Sequence, residues 1–362
     1  MKCRSFPDRL ATVGVLIAAS YCSVYNHIFV GAFGAVRYGP GRGWSGSQPS
    51  RARASRLRSA ASPSDLRLFS PSKINLFLRI IRKRPDNFHE LGSLFQTTAF
   101  GDVLEFTALP DGSERDTMEC DMPGVPVDGR NLVLRALALM REKTGVSGRY
   151  FHVNLIKKVP AQGGLGGGSG NAATAMFGAN ELLGRPATPE QMVEWSGELG
   201  SDITFFLSRG SAYCTGRGEI LTPVPPFAEP GTGVCIVKPA GGLSTPEVFR
   251  ALDYSKLSAT DPEELLGRFR EEGVMTGWEN YVNDLEAPAF SVMPALADLK
   301  EELVAAGFDR VLMSGSGSSI FCIGKPSEGK AFFQRFGARK DVDVFPTYFI
   351  NRGDGVGDWF EE

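Results

Sequence analysis

A run of glycines in the middle of the chain restricts the fold more than any other feature of this sequence. Six of the nine residues from 162 to 170 are glycine, within the stretch VPAQGGLGGGSGNAATAMF at 159–177. Residues 150–156 before it have the apolar pattern of a β-strand, and residues 171–184 after it have the pattern of a helix closed by Gly184. A flexible linker does not lie directly between two patterned elements, so the run is predicted to be an ordered strand-to-helix loop.

Two common kinds of glycine loop do not fit this run. A P-loop needs a Lys-Ser/Thr pair after its last glycine, whereas Ser169 and Gly170 follow Gly168. A dinucleotide-binding loop needs a further strand ending in an acidic residue, but residues 188–200 have the pattern of a second helix with an N-terminal capping box. The remaining interpretation is a phosphate cradle, in which glycines let an anion approach the free N–H groups of a helix N-terminus.

The N-terminal part of the chain after residue 64 has mixed strand and helix patterns. Alternating residues predict a half-buried strand at 74–80, with Ile74 on one face and Lys73 and Asn75 on the other. The other elements predicted here are strands near 91–98 and 103–108 and a helix over residues 131–145.

The C-terminal part has a different order of elements. After the proline-rich segment at 222–231, the predicted order is strand, helix, strand, strand, helix, strand, which is the ferredoxin-like split βαββαβ unit. A mostly helical insertion at 245–290 follows its first strand. We therefore predict an α+β protein with an N-terminal domain at 65–230 and a C-terminal domain at 231–352.

Two charged residues stand at the heads of predicted strands. Lys73 precedes the strand at 74–80, and Asp202 begins the apolar segment DITFFL, which is predicted to be a short strand. Phosphoryl transfer needs a group that accepts the proton of the attacking hydroxyl and positive charge near the transferred phosphoryl group. Asp202 is therefore a candidate base and Lys73 its candidate partner; the alternative is that each is a surface charge at a strand end.

Charge and composition exclude several function classes. Residues 1–64 contain nine Lys or Arg and one acidic residue, whereas the remaining residues contain 30 basic and 40 acidic ones. The excess of acidic residues after residue 64 does not favour nucleic acid as a partner, because non-specific binding of nucleic acid depends on basic surface. Three histidines and six cysteines without a Cys-x-x-Cys pair argue against a histidine-rich metal site, a serine–histidine triad and a disulfide framework.

The first 64 residues have the composition of a targeting leader. A basic start is followed by a short apolar run at 10–19 and then by a segment to residue 61 that is rich in Arg, Ser and Gly and lacks acidic residues. A signal followed by a transit segment predicts delivery to a plastid stroma, with no membrane attachment in the mature protein. A disordered tail and a single mitochondrial presequence are the alternatives.

Taken together, several segments resemble the GHMP kinase superfamily. They are PSKINLFLRIIRKRPDNFHEL, KKVPAQGGLGGGSGNAATA, GSDITFFLSRGSAYCTGRGE, GGLSTPEVF, VNDLEAPAF and MSGSGSSIF. The resemblance implies the two-domain GHMP kinase fold, ATP and Mg²⁺, and phosphorylation of the C2 hydroxyl of 4-diphosphocytidyl-2-C-methyl-D-erythritol in the non-mevalonate route to isoprenoids. Another small-alcohol kinase of the superfamily and a non-catalytic relative are the alternatives.

The resemblance also implies residue roles. Lys73 and Asp202 would be the catalytic pair, and the loop at 314–317 would close over the site. Ser169 is a possible Mg²⁺ ligand. The residues implied to bind the cytidine-diphosphate substrate are Asn75, Phe88, His89, Thr245 and Phe249. Those implied to wrap the ATP phosphates are Pro160, Ala161, Gln162, Gly163, Gly164, Leu165, Gly166, Gly167, Gly168, Ser169, Gly170 and Asn171.

Some of these positions have other interpretations. Phe88 and Phe249 could be core aromatics, and His89 could satisfy a turn. Gln162, Gly170 and Asn87 depart from the usual family pattern, in which Gly or Ala, Ser, and Gly are commoner. Asn tolerates the left-handed conformation, whereas Gly170 is expected to remove a hydroxyl near the phosphates.

Overall fold

The computed structural model describes residues 64–229, 231–353, 355 and 357–361. The predicted leader, except for its last residue, lies outside the described residues. Asp65–Glu362 cluster into one compact unit. None of the described helices has the length and apolar character that a membrane crossing requires.

The described part of this unit contains ten strands and nine α-helices. The strands are β1 (Leu66–Lys83), β2 (His89–Ala108), β3 (Thr117–Cys120), β4 (Phe151–Ile156), β5 (Ser211–Thr215), β6 (Ile220–Pro223), β7 (Gly233–Pro239), β8 (Arg310–Met313), β9 (Ile320–Ile323) and β10 (Val342–Tyr348). The helices are α1 (Leu132–Thr144), α2 (Gly167–Leu182), α3 (Pro189–Ser196), α4 (Ile203–Phe206), α5 (Thr245–Arg250), α6 (Pro262–Glu272), α7 (Glu286–Val292), α8 (Ala295–Ala305) and α9 (Lys330–Gly337). Short 3₁₀ turns occur at Tyr254–Lys256, Gly273–Met275 and Trp278–Asn280.

A six-stranded sheet forms the N-terminal half. Its order is β3-β4-β2-β5-β6, and β1 pairs with β2 in antiparallel register. Helices α1 and α2 contribute to the core on this sheet, and α2 is buried on nearly every side from Gly170 to Asn180. The predicted helix ends are confirmed, because Asn131 caps α1 through the N–H of Val133 and Gly145 ends it in the left-handed conformation. Thr188 likewise forms the predicted capping box with Gln191 at the start of α3.

A four-stranded antiparallel sheet forms the C-terminal half. Its order, β10-β7-β9-β8, is that of the ferredoxin-like unit, with α8 and α9 as its two crossover helices. The segment between β7 and α8 is helical, as expected for the insertion. The α+β architecture predicted from the sequence, with a ferredoxin-like unit in the C-terminal half, is therefore the one observed.

Three predictions about the elements are wrong. Asp202 does not begin a strand, because residues Ile203–Phe206 form the single-turn helix α4. The strands predicted near 91–98 and 103–108 are one continuous strand, β2. The strand at 74–80 is buried on both faces rather than half-buried, because Ile74 and Phe77 pack in a core that also contains Ile236 and Phe321 of the second sheet.

The end of the chain returns to the first sheet. Phe349 bridges to Thr98 beyond the end of β10. Further on, the ring of Trp359 stacks on Phe177 with ring centroids 4.3 Å apart, and its indole N–H donates to the carbonyl of Phe69 at 2.8 Å. The core of the N-terminal half is therefore completed by residues that follow the C-terminal sheet.

Candidate active site

Lys73 is a buried cation in the middle of β1. Its Nζ donates to Oδ1 of Asn75 at 2.7 Å and lies 4.8 Å from the centre of the Phe95 ring. Burial lowers the pKa of Lys73, and the nearby Asp202 and Cys214 oppose this effect. The alternative of a surface lysine at a strand end is therefore excluded. Asn75 is fixed in turn, because its Nδ2 donates to Oγ of Ser93 at 2.8 Å.

Asp202 occupies the N-cap position of α4. Its side chain makes no capping hydrogen bond to that helix, and the residue is only partly buried. Its carboxylate is near enough to Lys73 to favour the charged lysine. A carboxylate that is partly exposed and not used in capping can accept a proton from a bound hydroxyl.

The glycine loop runs directly beside this pair. The backbone N–H of Lys73 donates to the carbonyl of Leu165 at 2.9 Å. A methyl group built on Gly166 would lie 3.1 Å from Cγ of Lys73 and 2.9 Å from the Phe206 ring. Gly166 has φ of +68° and is the N-cap of α2, which has no side-chain cap. The first N–H groups of α2 are thus available to an anion, as the phosphate-cradle interpretation requires.

A buried carboxylate holds the start of the loop in place. Asp102 accepts backbone N–H groups of Lys158 and Val159 at 2.7 and 2.8 Å, and Nζ of Lys157 at 2.5 Å. It also accepts Nδ2 of Asn171 at 2.9 Å. The Asn171 side chain therefore anchors α2 to β2 instead of reaching toward the anion. No role is predicted for Asp102 from the sequence alone, although an acidic residue between two apolar strand segments is a signal that could have identified it.

The predicted C-terminal loop at 314–317 contacts the glycine loop. Oγ of Ser314 donates to the carbonyl of Gly164 at 3.0 Å, and the N–H of Ser319 donates to that of Gly163 at 3.1 Å. Nδ2 of Asn283 holds the C-terminal loop from the other side by donating to the carbonyls of Met313 and Gly315. The two sheets thus contact each other through their glycine-rich loops, next to Lys73.

The three unusual positions have distinct environments. Asn87 and Gln162 have φ of +65° and +54°, the conformation in which glycine is usual. Gly170 is buried, and a methyl group there would lie 2.8 Å from the carbonyl oxygen of Pro71. The Cβ of a side chain at 170 would therefore meet β1, whereas the effect of the missing hydroxyl on phosphate binding stays a prediction. Ser169, one residue earlier in the first turn of α2, is partly exposed.

Of the aromatic residues predicted to bind the base, His89 and Phe249 contact each other, whereas the Phe88 ring contacts Arg217. Phe88 is 55% exposed, so it is not a core residue, and the Arg217 guanidinium lies 5.0 Å from the centre of its ring. His89 stacks on Phe249 with ring centroids 4.7 Å apart, which leaves no room for a base between them. Nε2 of His89 also forms a 2.7 Å hydrogen bond with the hydroxyl of Tyr254, a residue that the sequence did not point to.

Thr245 connects these aromatic residues to the phosphate loops. Its hydroxyl is 2.8 Å from the hydroxyl of Ser316, in the same loop whose Ser314 contacts Gly164.

Burial and the nearby Lys83 lower the pKa of His89, so its ring is neutral near pH 7. The arrangement therefore joins a neutral hydrogen-bonding aromatic cluster to an anion-binding loop with a lysine and an aspartate.

Family models and known proteins match most of the described chain. Residues 131–210 match the family model for the GHMP kinases N terminal domain, and residues 267–341 match that for GHMP kinases C terminal. The chain is 46% identical to 4-diphosphocytidyl-2-C-methyl-D-erythritol kinase, chloroplastic, of Arabidopsis thaliana, over 83% of this chain and 77% of that protein. It is also 46% identical to the kinase of the same name from Protochlamydia amoebophila, over 79% of this chain and 91% of that one.

Solved structures give the same result. A crystal structure of 4-(cytidine 5'-diphospho)-2C-methyl-D-erythritol kinase superposes with a TM-score of 0.64 at 28% identity, covering 78% of this chain and 99% of that one. Homoserine kinase from Cytophaga hutchinsonii superposes with a TM-score of 0.62 at 18% identity, covering 82% and 98%, which is a likeness of fold.

Proposed function

Because this chain belongs to the GHMP kinase family, and within it to the 4-diphosphocytidyl-2-C-methyl-D-erythritol kinases, we propose that Lys73 and Asp202 transfer the γ-phosphate of ATP to the C2 hydroxyl of 4-diphosphocytidyl-2-C-methyl-D-erythritol. The observation that carries this proposal is the buried Lys73, which lies against Gly166 at the uncapped N-terminus of α2 and within electrostatic reach of Asp202.

Each of these residues has a separate role in the proposed phosphoryl transfer. The Asp202 carboxylate accepts the proton of the C2 hydroxyl, whose oxygen bonds to the γ-phosphorus as the bond to the β–γ bridging oxygen breaks and ADP leaves. The Lys73 ammonium places positive charge beside the transferred group. Asn75 fixes the Lys73 side chain, since it accepts one of its hydrogen bonds.

The phosphates of ATP are proposed to lie on residues 160–171. The free N–H groups at the start of α2 and the partial positive charge of the helix end suit a triphosphate. Within the described residues, no three side chains of His, Cys, Asp or Glu group together as metal ligands. The partly exposed Ser169 hydroxyl and Asp202 are the groups here that suit Mg²⁺ held mainly by phosphate oxygens. Bound there, Mg²⁺ would neutralise part of the phosphate charge.

The cytidine diphosphate is proposed to bind at the aromatic residues Phe88 and His89. Phe88 has one face for the base, because Arg217 lies over its ring. His89 would hydrogen-bond the edge of the cytosine, and Thr245 would hold the substrate near the phosphate loops. Direct stacking of Phe249 on the base requires His89 to move from the position it occupies against that ring.

We further propose that the protein acts in a plastid. Relatives from plants are named chloroplastic, and the basic, acid-poor residues 1–64 suit a signal and transit leader. Fluorescence microscopy of residues 1–64 fused to a reporter tests this proposal, and a mitochondrial signal would contradict it.

The catalytic proposal is tested with residues 65–362, ATP, Mg²⁺ and a panel of alcohols that includes homoserine and mevalonate. We expect turnover of the cytidyl substrate alone, and Asp202→Asn should lower kcat by about 100-fold or more because the base is lost. Lys73→Met should also lower kcat. Glu198→Gln, an exposed carboxylate four residues before Asp202, is the matched control and should leave kcat unchanged.

Each rival has its own outcome in this assay. Turnover of homoserine or mevalonate in preference to the cytidyl compound identifies a different small-alcohol kinase. No turnover of any alcohol identifies a non-catalytic relative. Full activity of Asp202→Asn removes Asp202 from the role of base.

A further inference from the structure

Tyr254 contacts His89, one of the residues proposed to bind the cytosine base, and has no other function in the site. Its hydroxyl lies 2.7 Å from Nε2 of His89, and the two rings are inclined by only 20°. The side chain is 47% exposed, so burial of the ring does not explain its position. The contact is therefore a directed hydrogen bond at the Nε2 edge of the His89 imidazole.

The turn that carries Tyr254 is held by its own hydrogen bonds. The Asp253 carboxylate accepts the backbone N–H and the hydroxyl of Ser255 at 3.0 and 2.7 Å, and the N–H of Lys256 donates to the Asp253 carbonyl at 3.0 Å. The same segment supplies Phe249, whose ring covers one face of His89. One short stretch of chain thus fixes both a face and an edge of the imidazole.

Acid–base chemistry decides the direction of the Tyr254–His89 hydrogen bond. A neutral imidazole has one N–H and one basic nitrogen, and a phenol is a better donor than acceptor toward such a nitrogen. Burial and Lys83 lower the pKa of His89, which favours the neutral ring. The Tyr254 hydroxyl therefore donates to Nε2, and the ring proton lies on Nδ1.

We propose that Tyr254 fixes His89 as the Nδ1–H tautomer and so makes the site selective for cytosine over uracil; this rests on the proposed function. With Nε2 occupied by Tyr254, the Nδ1–H is the polar group of His89 left for a ligand. N3 of cytosine accepts a hydrogen bond, whereas N3 of uracil carries a hydrogen. A donor at Nδ1 therefore pairs with cytosine and meets a second donor on uracil, an arrangement that excludes the wrong base.

The test uses the full chain and the Tyr254→Phe substitution, which removes the hydroxyl and keeps the ring. Kinetics are measured with the cytidyl substrate and with its uridyl analogue. We expect the ratio of the two kcat/KM values to fall about 10-fold, mainly through KM, because the base is remote from the transferred phosphoryl group. Tyr348→Phe, another exposed tyrosine, is the matched control and should leave the ratio unchanged.

A second measurement reads the tautomer directly. The sequence has only three histidines, His27, His89 and His152, so the ¹⁵N signals of the labelled chain can be assigned with a His89→Gln variant. We expect Nδ1–H in the wild type and a shift toward the Nε2–H form in Tyr254→Phe. A merely structural role for Tyr254 would not change these signals.

The outcomes separate the two proposals. An unchanged tautomer, or an unchanged base preference, in Tyr254→Phe overturns the role of Tyr254 even if the enzyme is active. A wild type that ignores the cytidyl substrate overturns the proposed function and the base selection together, whereas the ¹⁵N signals still report whether Tyr254 holds His89.

Discussion

Two glycines of the phosphate loop have opposite surroundings. Gly164 has φ of +72°, and a methyl group on it would lie 2.0 Å from the carbonyl oxygen of Ser314. Gly168 lies in the first turn of α2, and a methyl group there would have no neighbour within 4 Å. The two residues are four positions apart in the same glycine-rich stretch, yet of the two only Gly164 lies where the loops of the two sheets touch.

Gly164→Ala should destabilise the protein and Gly168→Ala should not. The first substitution imposes a strained conformation and pushes the Ser314 loop away, at a cost of about 1–3 kcal/mol. The second replaces a helical glycine with a better helix former and should gain up to about 1 kcal/mol. Urea unfolding of both variants measures the difference, and equal midpoints would contradict it.

Residue-level prediction succeeded where chemistry is local. Asn87 was expected to tolerate a left-handed turn and has φ of +65°. The burial of Lys73 was not predictable, because alternation along β1 says nothing about a second sheet that packs on its outer face. The hydrogen bond between His89 and Tyr254 joins residues 165 positions apart, and no spacing pattern in the sequence predicts such a contact.

At the scale of elements, Asp102 connects β2 to the phosphate loop. It is fully buried, and its partners are two backbone N–H groups at the start of the loop, Lys157 and the Asn171 amide. The loop is rich in glycine and cannot hold its own shape, so its geometry depends on this carboxylate. Such a pair is costly to break, because the partner that remains is a buried, unpaired charge.

Asp102→Asn should lower the free energy of unfolding by about 3–5 kcal/mol and raise the KM for ATP. The amide cannot accept all four hydrogen bonds, and Lys157 loses its counter-charge. Asp128→Asn is the matched control, because Asp128 pairs with Arg130 on the surface and should tolerate the change. Chemical denaturation and ATP titration provide the measurements; similar effects in the two variants would argue against the anchoring role.

The elements were predicted unequally well. Helices α1 and α3 have cap residues that mark their ends, and the ferredoxin-like order followed from the spacing of apolar segments. The apolar run after Asp202 is too short for its pattern to separate a strand from a helical turn, and it forms α4. The glycine loop was identified because a strand and a helix flank it directly.

On the scale of the whole molecule, the two sheets share structure at both ends of the compact unit Asp65–Glu362. Strand β1 packs in a core with residues of the second sheet, and Trp359 returns to the first. A boundary drawn near residue 230 therefore separates two sheets but not two independent cores.

Trp359→Ala should cost about 3–5 kcal/mol, because it empties a buried site against Phe177 and removes a hydrogen bond to Phe69. Trp278→Ala is the matched control, since that side chain is 74% exposed and its loss should change stability by less than about 0.5 kcal/mol. Differential scanning calorimetry of both variants tests this. A small effect at Trp359 would mean that the N-terminal core is complete without the end of the chain.

The returning C-terminal segment also sets the order of events during synthesis. A ribosome releases the N-terminal sheet long before it makes Trp359, whose partner Phe69 lies 290 positions earlier. Until that segment emerges, Phe177 and its neighbours lack the packing of Trp359. The nascent N-terminal half therefore exposes hydrophobic surface that can aggregate. The N-terminal core is thus expected to finish folding only after Trp359 has left the ribosome, and a nascent chain stalled before that residue should depend on chaperones.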